Sequence, residues 1–342
     1  MEEQKIKIKV GFTSGDMNGV GAEILLSLLA DNKLLSMITP IIYAPIKNLE
    51  YISSHIGLVL SFNKINSPKE SQENKINVID NFKTFADVSF GDMNKEMGKT
   101  AFHSIKTSVQ DLKDKKIDVL VTAPINKEAI HSDSFKFMGH TDYIDSQIDG
   151  SAVMMMVSDE LKVALLTEHI PIAKVTETIT KDLVRDKIKN LHNTLIRDFQ
   201  IEKPKIAILS IDPHAGDGGV IAKNDQEVTV PVIKEMNDNG FLVYGPFSSD
   251  SFFGSLEYKK YDITVASFHD QGLIPFKTLS FGKGVNYSSG LERIRTSPDH
   301  GTAYRIAGKG EASKDSFLTS IFLALDIYKM RKTHDEYSKD KL

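Results

Sequence analysis

Short apolar runs that alternate with longer amphipathic segments are the feature that most constrains the fold of this 342-residue chain. Runs at 5–12, 37–43 and 117–122 have the length and pattern of strands. Between them, residues 23–29 and 99–116 carry the apolar spacing of helices. Strands that alternate with helices are typical of α/β proteins with a mostly parallel sheet, so we expect an α/β fold.

The second half of the chain continues this alternation. Two apolar runs, 154–157 and 161–167, are predicted to pair as a hairpin, and a long amphipathic helix is predicted over 176–199. A final helix is predicted over 314–329. The polar residues 331–342 that follow it are expected to fray.

Composition excludes several classes of protein. The net charge of −4 gives no electrostatic reason to expect a nucleic acid or an anionic membrane as partner. The chain has no cysteine, which excludes disulfides and thiolate metal ligands. No stretch reaches the roughly 18 apolar residues of a spanning helix, and the N-terminal residues lack the apolar segment of a secretory signal. We therefore expect a cytoplasmic protein, long enough for two domains.

Three of the predicted strands, 161–167, 205–211 and 262–268, are each followed within a few residues by a histidine. Parallel strands collect their carboxyl ends at one edge of a sheet, so these histidines could meet at one divalent cation. Three protein ligands and an open position are typical of a catalytic metal site. The alternative is three unrelated loop histidines, because such wide spacing is far less informative than a local motif. The histidines are His169, His214 and His269.

Polar side chains are dense between residues 261 and 310. Lys277, Arg293 and Arg295 would suit a phosphate or carboxylate, although ordinary surface charge explains any one of them better when it is taken alone. Asn286 lies in a predicted glycine-rich loop, where the backbone can approach a ligand closely. Earlier in the chain, the cluster at 139–142 (GHTD) is a weak signal by itself, and a solvated turn explains it better than a binding site does.

Eight motifs in order, from residue 15 to residue 310, resemble the 4-hydroxythreonine-4-phosphate dehydrogenase (PdxA) family. The end of the last motif, HGTAYRIAGKG, is similar to the adenine-binding loop of isocitrate and isopropylmalate dehydrogenases, whose fold this family shares. The motifs are GDMNGVGAEI, TAPINKEAI, GHTDYI, LLTEHIPI, DPHAGDGG, GPFSSDSFF, FHDQGLIPFK and GVNYSSGLERIRTSPDHGTAYRIAGKG.

The resemblance implies two α/β domains, an active site in the cleft between them and a homodimer that completes this site. The implied limits are 1–135 with 296–342 for an outer, cofactor-side domain, and 136–295 for a central domain with the metal, the substrate and the dimer contacts. The implied reaction is NAD(P)-dependent oxidation of 4-phosphooxy-L-threonine, whose 3-oxo product loses carbon dioxide to give 3-amino-2-oxopropyl phosphate.

The resemblance also implies roles for individual residues. A divalent metal (zinc, or else magnesium or cobalt) would bind His169, His214 and His269. The resemblance does not assign the general base, for which Asp250 and Lys277 are the candidates. The implied substrate-binding residues are His140, Thr141, Lys277, Asn286 and Arg295, and the implied residues for NAD or NADP are Asn286, Asp299, His300 and Thr302.

Several positions depart from the family pattern. Glu292 and Arg293 stand where a proline and an apolar residue are usual, and Arg305 replaces a common aspartate. These departures leave open the choice between NAD and NADP. They also leave open a substrate such as 4-phospho-D-threonate or phospho-erythronate, and a metal- and nucleotide-binding protein without turnover remains an alternative.

Overall fold

The computed structural model describes residues 7–133, 135–137 and 139–339, and it confirms the α/β class. The first predicted strand is present, although its first two residues lie outside the described ranges. In the described chain the strands are β1 Ile8–Thr13, β2 Ile38–Tyr43, β3 Phe62–Ile65, β4 Ile76–Ile79, β5 Val119–Val121, β6 Gly150–Val157, β7 Lys162–Leu165, β8 Lys205–Leu209, β9 Leu242–Phe247, β10 Ile263–Ala266, β11 Val285–Leu291 and β12 Ile294–Pro298.

The helices connect these strands and vary widely in length. None of those in the described ranges combines the length and apolar character that crossing a bilayer requires. They are α1 Val20–Leu29, α2 Asn32–Met37, α3 Ile46–His55, α4 Lys95–Lys113, α5 Lys127–Ile130, α6 His140–Gln147, α7 Val175–Thr178, α8 Lys181–Phe199, α9 Val230–Asp238, α10 Ser249–Gly254, α11 His269–Ser280 and α12 Asp315–Lys339.

The chain forms two compact units. The first comprises Met1–Asp149 and Glu292–Tyr328, and the second comprises Gly150–Leu291 and Lys329–Leu342. The domain limits expected from the resemblance stay a prediction.

The sheet of the first unit has the strand order β3-β4-β2-β1-β5-β12, with all neighbours parallel. Every residue of β2 is buried, as expected for a strand covered on both faces. Helix α4 begins at Lys95, four residues before the predicted start, because the Asn94 side chain accepts hydrogen bonds from the amides of Glu96 and Met97. It ends before the left-handed Lys115.

The sheet of the second unit has the order β11-β6-β7-β10-β8-β9. Strands β6 and β7 are antiparallel neighbours, which confirms the predicted hairpin. Strands β7, β10, β8 and β9 are parallel. The carboxyl ends of β7, β10 and β8 therefore lie side by side at one edge of this sheet.

The single helix predicted over 176–199 is wrong, because the chain forms α7 and α8 with a break at Ile179. Ile179 has an extended backbone, and the Thr180 hydroxyl accepts a hydrogen bond from the amide of Leu183 at 3.2 Å. A threonine cap of this kind begins a new helix and explains the break.

The prediction that the C-terminal residues fray is wrong for 331–339, which continue α12; residues 340–342 lie outside the described ranges. Arg331 is buried and donates hydrogen bonds to the two carboxylate oxygens of Asp198, at 2.7 and 2.9 Å, and to the Tyr287 hydroxyl at 2.9 Å. Burial alone would raise the pKa of Asp198, but its bonds to Arg331 bring this pKa below the usual value. This buried cluster stabilises the end of the helix.

We predict that Arg331→Met destabilises the protein by about 3–5 kcal/mol, because it leaves the Asp198 carboxylate buried without its main partner. Urea unfolding followed by circular dichroism measures this change. The exposed Lys314→Met serves as the control and should shift stability by no more than about 0.5 kcal/mol. Equal stability of the two variants would contradict the assigned role of Arg331.

Candidate active site

The edge formed by the ends of β7, β10 and β8 carries the three predicted histidines. His269 begins α11 directly after β10, while His169 and His214 lie in the segments that follow β7 and β8. The rings of His169 and His269 lie together, with their centroids 5.8 Å apart. Two of the three histidines are thus brought to one place within the second unit.

His269 has a carboxylate partner. Its Nδ1 lies 2.7 Å from Oδ1 of Asp270, which leaves Nε2 for a ligand. Metal-binding histidines commonly hold a carboxylate on the nitrogen that faces away from the ion. Sequence reasoning did not assign Asp270 a role, although its position directly after His269 was a usable signal.

His214 lies in a loop with an unusual backbone. Residues 214–218 all have positive φ, with values of 53° at His214, 52° at Ala215 and 45° at Asp217. A Cβ at Gly216 would come within 2.2 Å of the Ala222 carbonyl oxygen, so this position requires glycine. Left-handed non-glycine residues cost about 1–3 kcal/mol each and cluster at functional sites. The loop therefore supports a functional role for His214.

The three histidines do not form a closed ligand set in this conformation of one chain. Among the described residues, their ring nitrogens are not all within 4.8 Å of one another. The chemistry of the set, three imidazoles and a carboxylate partner, fits a divalent ion, and so does the spacing of the His169 and His269 rings. His169 and His269 lie close together in this structure, and the assignment of all three histidines as metal ligands stays a prediction.

A cavity of about 740 Å³ lies beside His214 in the second unit. Asp250, Asp270 and Gln271 line it together with Ile274. The Gln271 side chain accepts a hydrogen bond from the Ser267 amide at 2.6 Å and donates one to the Ser210 carbonyl at 2.7 Å. Gln271 therefore holds the ends of β10 and β8 together, a role that sequence reasoning missed.

The two candidate bases differ in their surroundings. Asp250 lies in the first turn of α10 and accepts a hydrogen bond from the Ser248 hydroxyl at 2.6 Å. This bond, the Ser251 amide and the nearby His214 hold the pKa of Asp250 below its usual value, so it is ionised at neutral pH. Lys277 is exposed on α11.

Asn286 lies on strand β11, so its placement in a glycine-rich loop is wrong. Its neighbours Val285 and Tyr287 are fully buried, and the strand pairs with β6 through Asn286 and Met156. Alternating apolar and polar residues favour a strand here, and this pattern outweighs the glycines that flank it.

The first unit holds a second group of predicted site residues around Arg295. Arg295 is fully buried on β12 and donates hydrogen bonds to the Thr122 hydroxyl, at 2.7 and 3.0 Å, and to the Thr141 hydroxyl at 3.2 Å. Burial lowers the pKa of Arg295 to about 9. Thr141 lies in the first turn of α6, so the interpretation of GHTD as a solvated turn is wrong.

His140 begins α6 beside Arg295. Burial, the charge of Arg295 and the charge of Lys127 hold the pKa of His140 well below its usual value. Its Nδ1 has no hydrogen-bond partner among the described residues. A neutral imidazole next to two cations fits the binding of an anion, which would offset the repulsion between them.

Three of the four predicted cofactor residues, Asp299, His300 and Thr302, follow β12 in the first unit. Asp299 exchanges hydrogen bonds with the Ser316 hydroxyl, at 3.0 and 3.2 Å. The Thr302 carbonyl accepts a hydrogen bond from the Val20 amide at 2.9 Å, and a Cβ at Gly19 would come within 2.5 Å of it. The glycine-rich turn before α1 therefore allows the segment that contains Thr302 to pack closely against this turn. His300 Nδ1 lies 3.0 Å from the Gly301 carbonyl oxygen.

Tyr304 anchors the same loop. Its hydroxyl donates a 2.6 Å hydrogen bond to Oδ2 of Asp16, and Oδ1 of Asp16 accepts one from the Asn18 amide at 3.0 Å. Burial raises the pKa of Asp16, and the bond from Tyr304 partly offsets this. The two residues are 288 positions apart, so no spacing in the sequence indicates their contact.

Comparison with known proteins gives consistent matches over nearly the whole chain. Residues 36–324 match the family described as "Pyridoxal phosphate biosynthetic protein PdxA". The chain is 42% identical over 334 residues to a 4-hydroxythreonine-4-phosphate dehydrogenase of Bacteroides thetaiotaomicron, covering 97% of this chain and 91% of that protein. It is 35% identical over 317 residues to a D-threonate 4-phosphate dehydrogenase of Cupriavidus necator, covering 91% of this chain and 95% of that protein.

A solved structure extends the likeness to three dimensions. The crystal structure of a 4-hydroxythreonine-4-phosphate dehydrogenase from Klebsiella pneumoniae aligns with a TM-score of 0.81 and 31% identity, covering 95% of this chain and 99% of that one. The fold is thus that of an α/β dehydrogenase. The chain belongs to the PdxA family, which confirms the resemblance recognised in its sequence.

We predict that Tyr304→Phe lowers the free energy of unfolding by about 1–3 kcal/mol, because it leaves a buried oxygen of Asp16 without its donor. Thermal and urea unfolding measure the change. Tyr337→Phe removes the hydroxyl of a 69% exposed tyrosine and should have no effect. Indistinguishable stability of Tyr304→Phe and the wild type would contradict the anchoring role.

Proposed function

We propose that this protein is a metal-dependent dehydrogenase that oxidises 4-phosphooxy-L-threonine with NAD or NADP. The substrate hydroxyl loses its proton and its carbon loses a hydride, giving the 3-oxo acid and the reduced nicotinamide. The 3-oxo acid then loses carbon dioxide, which leaves 3-amino-2-oxopropyl phosphate. The family match over residues 36–324 is the observation that carries this proposal.

In this proposal His169, His214 and His269 hold the divalent ion. Neutral imidazoles suit zinc better than magnesium, which prefers oxygen ligands. When bound, the ion supplies a Lewis acid for the hydroxyl that is oxidised, and the nicotinamide supplies the hydride acceptor. Asp270 orients the His269 ring so that Nε2 is available, as the 2.7 Å contact indicates.

The first unit supplies the anion-binding residues in this proposal. Arg295 would bind the substrate phosphate through charge-assisted hydrogen bonds, with Thr141 and the neutral His140 as further contacts. Its bonds to Thr122 and Thr141 fix the direction of the guanidinium before any ligand arrives. Such preorganisation lowers the entropy cost of binding.

Lys277 and Asn286 of the second unit would contact the substrate, and the proton of the oxidised hydroxyl would pass to Asp250 or Lys277. Asp250 is ionised at neutral pH, so it can accept a proton, although its lowered pKa makes it a weak base. The cofactor would bind Asn286 and the loop that holds Asp299, His300 and Thr302.

A homodimer is part of the proposal. Within one chain the ring nitrogens of the three histidines are not all close, and the cavity beside His214 is bordered by Ile274, which is 65% exposed. A second copy that covers this apolar rim would bury it and could complete the ligand set.

D-threonate 4-phosphate is the second candidate substrate, favoured by the 35% identity to the Cupriavidus necator enzyme of that name. The two substrates share the phosphate and the hydroxyl but differ at the neighbouring carbon, which carries an amino group only in phosphooxy-threonine. Glu292 and Arg293 depart from the family pattern, so this difference needs a direct test.

Steady-state reduction of NAD and NADP by the purified protein, with each substrate in turn, tests the proposal. We expect kcat/KM for 4-phosphooxy-L-threonine to exceed that for D-threonate 4-phosphate at least tenfold. The reverse order would establish the second candidate. Cofactor binding without reduction on either compound, or on phospho-erythronate, would contradict both and indicate a binding protein without turnover.

A further inference from the structure

Two buried hydroxyl residues of the second unit lie where β7 and β10 end. Thr167 follows β7 and is 4% exposed, and Ser267 follows β10 and is fully buried. The Thr167 hydroxyl donates a 2.7 Å hydrogen bond to the Ser267 carbonyl oxygen, which also accepts one from the Thr167 amide at 3.2 Å. Both bonds fit the two lone pairs of one carbonyl oxygen. We call Thr167 and Ser267 together the hydroxyl brace.

The hydroxyl brace also reaches the third strand of this edge. The Ser267 amide donates a 2.6 Å hydrogen bond to the Gln271 side chain. The Ser267 hydroxyl donates a longer one, at 3.4 Å, to the carbonyl oxygen of Leu209, the last residue of β8. The brace therefore connects the ends of β7, β10 and β8, the three strands that precede the predicted metal-binding histidines.

The brace is close enough to two of these histidines to set their separation. The regular strands end at Leu165 and Ala266, so the Thr167 hydroxyl ties the two chains together beyond the strand ends. His169 and His269 each lie two residues after a member of the brace. Two residues of extended chain span at most about 7 Å, so neither histidine can move far from this tie. The centroids of the two rings are 5.8 Å apart.

Thr264 provides a contrast within the same sheet. It lies on β10 and is 1% exposed, but its hydroxyl oxygen has no hydrogen-bond partner among the described residues. Removal of the Thr264 hydroxyl therefore breaks no hydrogen bond, whereas removal of the Thr167 hydroxyl breaks the bond to Ser267. The two threonines are thus a matched pair, equally buried but different in what their hydroxyls hold.

We infer that Thr167 is a positioning residue, which sets the spacing of His169 and His269 through its hydroxyl bond to Ser267 and so raises the affinity for the divalent ion. This inference rests on the proposed function, which assigns both histidines as metal ligands. Groups behind the ligands of a metal typically change its affinity by about ten- to a hundredfold.

The dissociation constant for zinc, measured by competition between the stripped full-length protein and a chromophoric chelator, tests the inference separately from turnover. Thr167→Val nearly keeps the shape of the side chain but loses the hydroxyl, and it should weaken zinc binding by about tenfold or more. Thr167→Ala also lacks the hydroxyl and adds no bulk, so it should show the same loss if Thr167→Val does not fold.

Two further variants serve as controls, and circular dichroism checks that each protein is folded before zinc is added. Thr167→Ser keeps the hydroxyl and should bind zinc as the wild type does. Thr264→Val removes a buried hydroxyl without a partner and should also leave zinc binding unchanged. A purely structural role of Thr167 would lower stability without changing the zinc affinity of the folded protein.

Unchanged zinc affinity of folded Thr167→Val or Thr167→Ala, an equal loss in Thr264→Val, or no zinc binding by the wild type would overturn the inference. Unchanged affinity of Thr167→Val together with wild-type reduction of the nicotinamide would overturn it and leave the proposed function intact. Conversely, zinc binding that is weakened in Thr167→Val and normal in Thr167→Ser, in a protein that reduces no cofactor, would support the positioning role and contradict the proposed function.

Discussion

The parallel alignment of β7, β10 and β8 is the constraint on which the candidate metal site depends. Because these strands run in one direction, the chain leaves the sheet at the same edge three times, and each exit carries a histidine. Gln271 ties the ends of β10 and β8 together, so the edge is held by side-chain as well as backbone hydrogen bonds. The strained loop after β8 and the Asp270 partner of His269 are features of a site built for ligands.

The first unit holds the buried cation Arg295 in a fixed orientation. Arg295 is buried among hydroxyl groups, and its orientation is fixed by Thr122 and Thr141. The neighbouring loop is fixed at Tyr304 by Asp16 and at Gly308 by Glu23. Asp16 accepts a hydrogen bond from the Tyr304 hydroxyl, and Glu23 accepts one from the Gly308 amide. These two buried carboxylates thus hold in place a loop that is predicted to bind the cofactor, which lowers the entropy cost of binding.

Local sequence patterns predicted the strands and the class of fold, because apolar runs and turn residues act over a few positions. They also placed His169, His214 and His269 at strand ends. They could not predict the pairs Asp198–Arg331 and Asp16–Tyr304, which join residues 133 and 288 positions apart. Residues 331–339 are helical because Arg331 pairs with the buried Asp198. The break between α7 and α8 was missed because the helical pattern over 176–199 is continuous and favours one long helix, which hides the cap at Thr180.

Metal-dependent cofactor reduction by the purified protein tests the central claim most directly. Protein stripped with a chelator should reduce no nicotinamide on 4-phosphooxy-L-threonine, and zinc should restore turnover. His214→Ala should stay folded and remain inactive with zinc, while His131→Ala, at an exposed histidine outside the site, should respond like the wild type. Turnover by the stripped protein, or by His214→Ala after addition of zinc, would contradict the claim that these strand ends hold the catalytic ion.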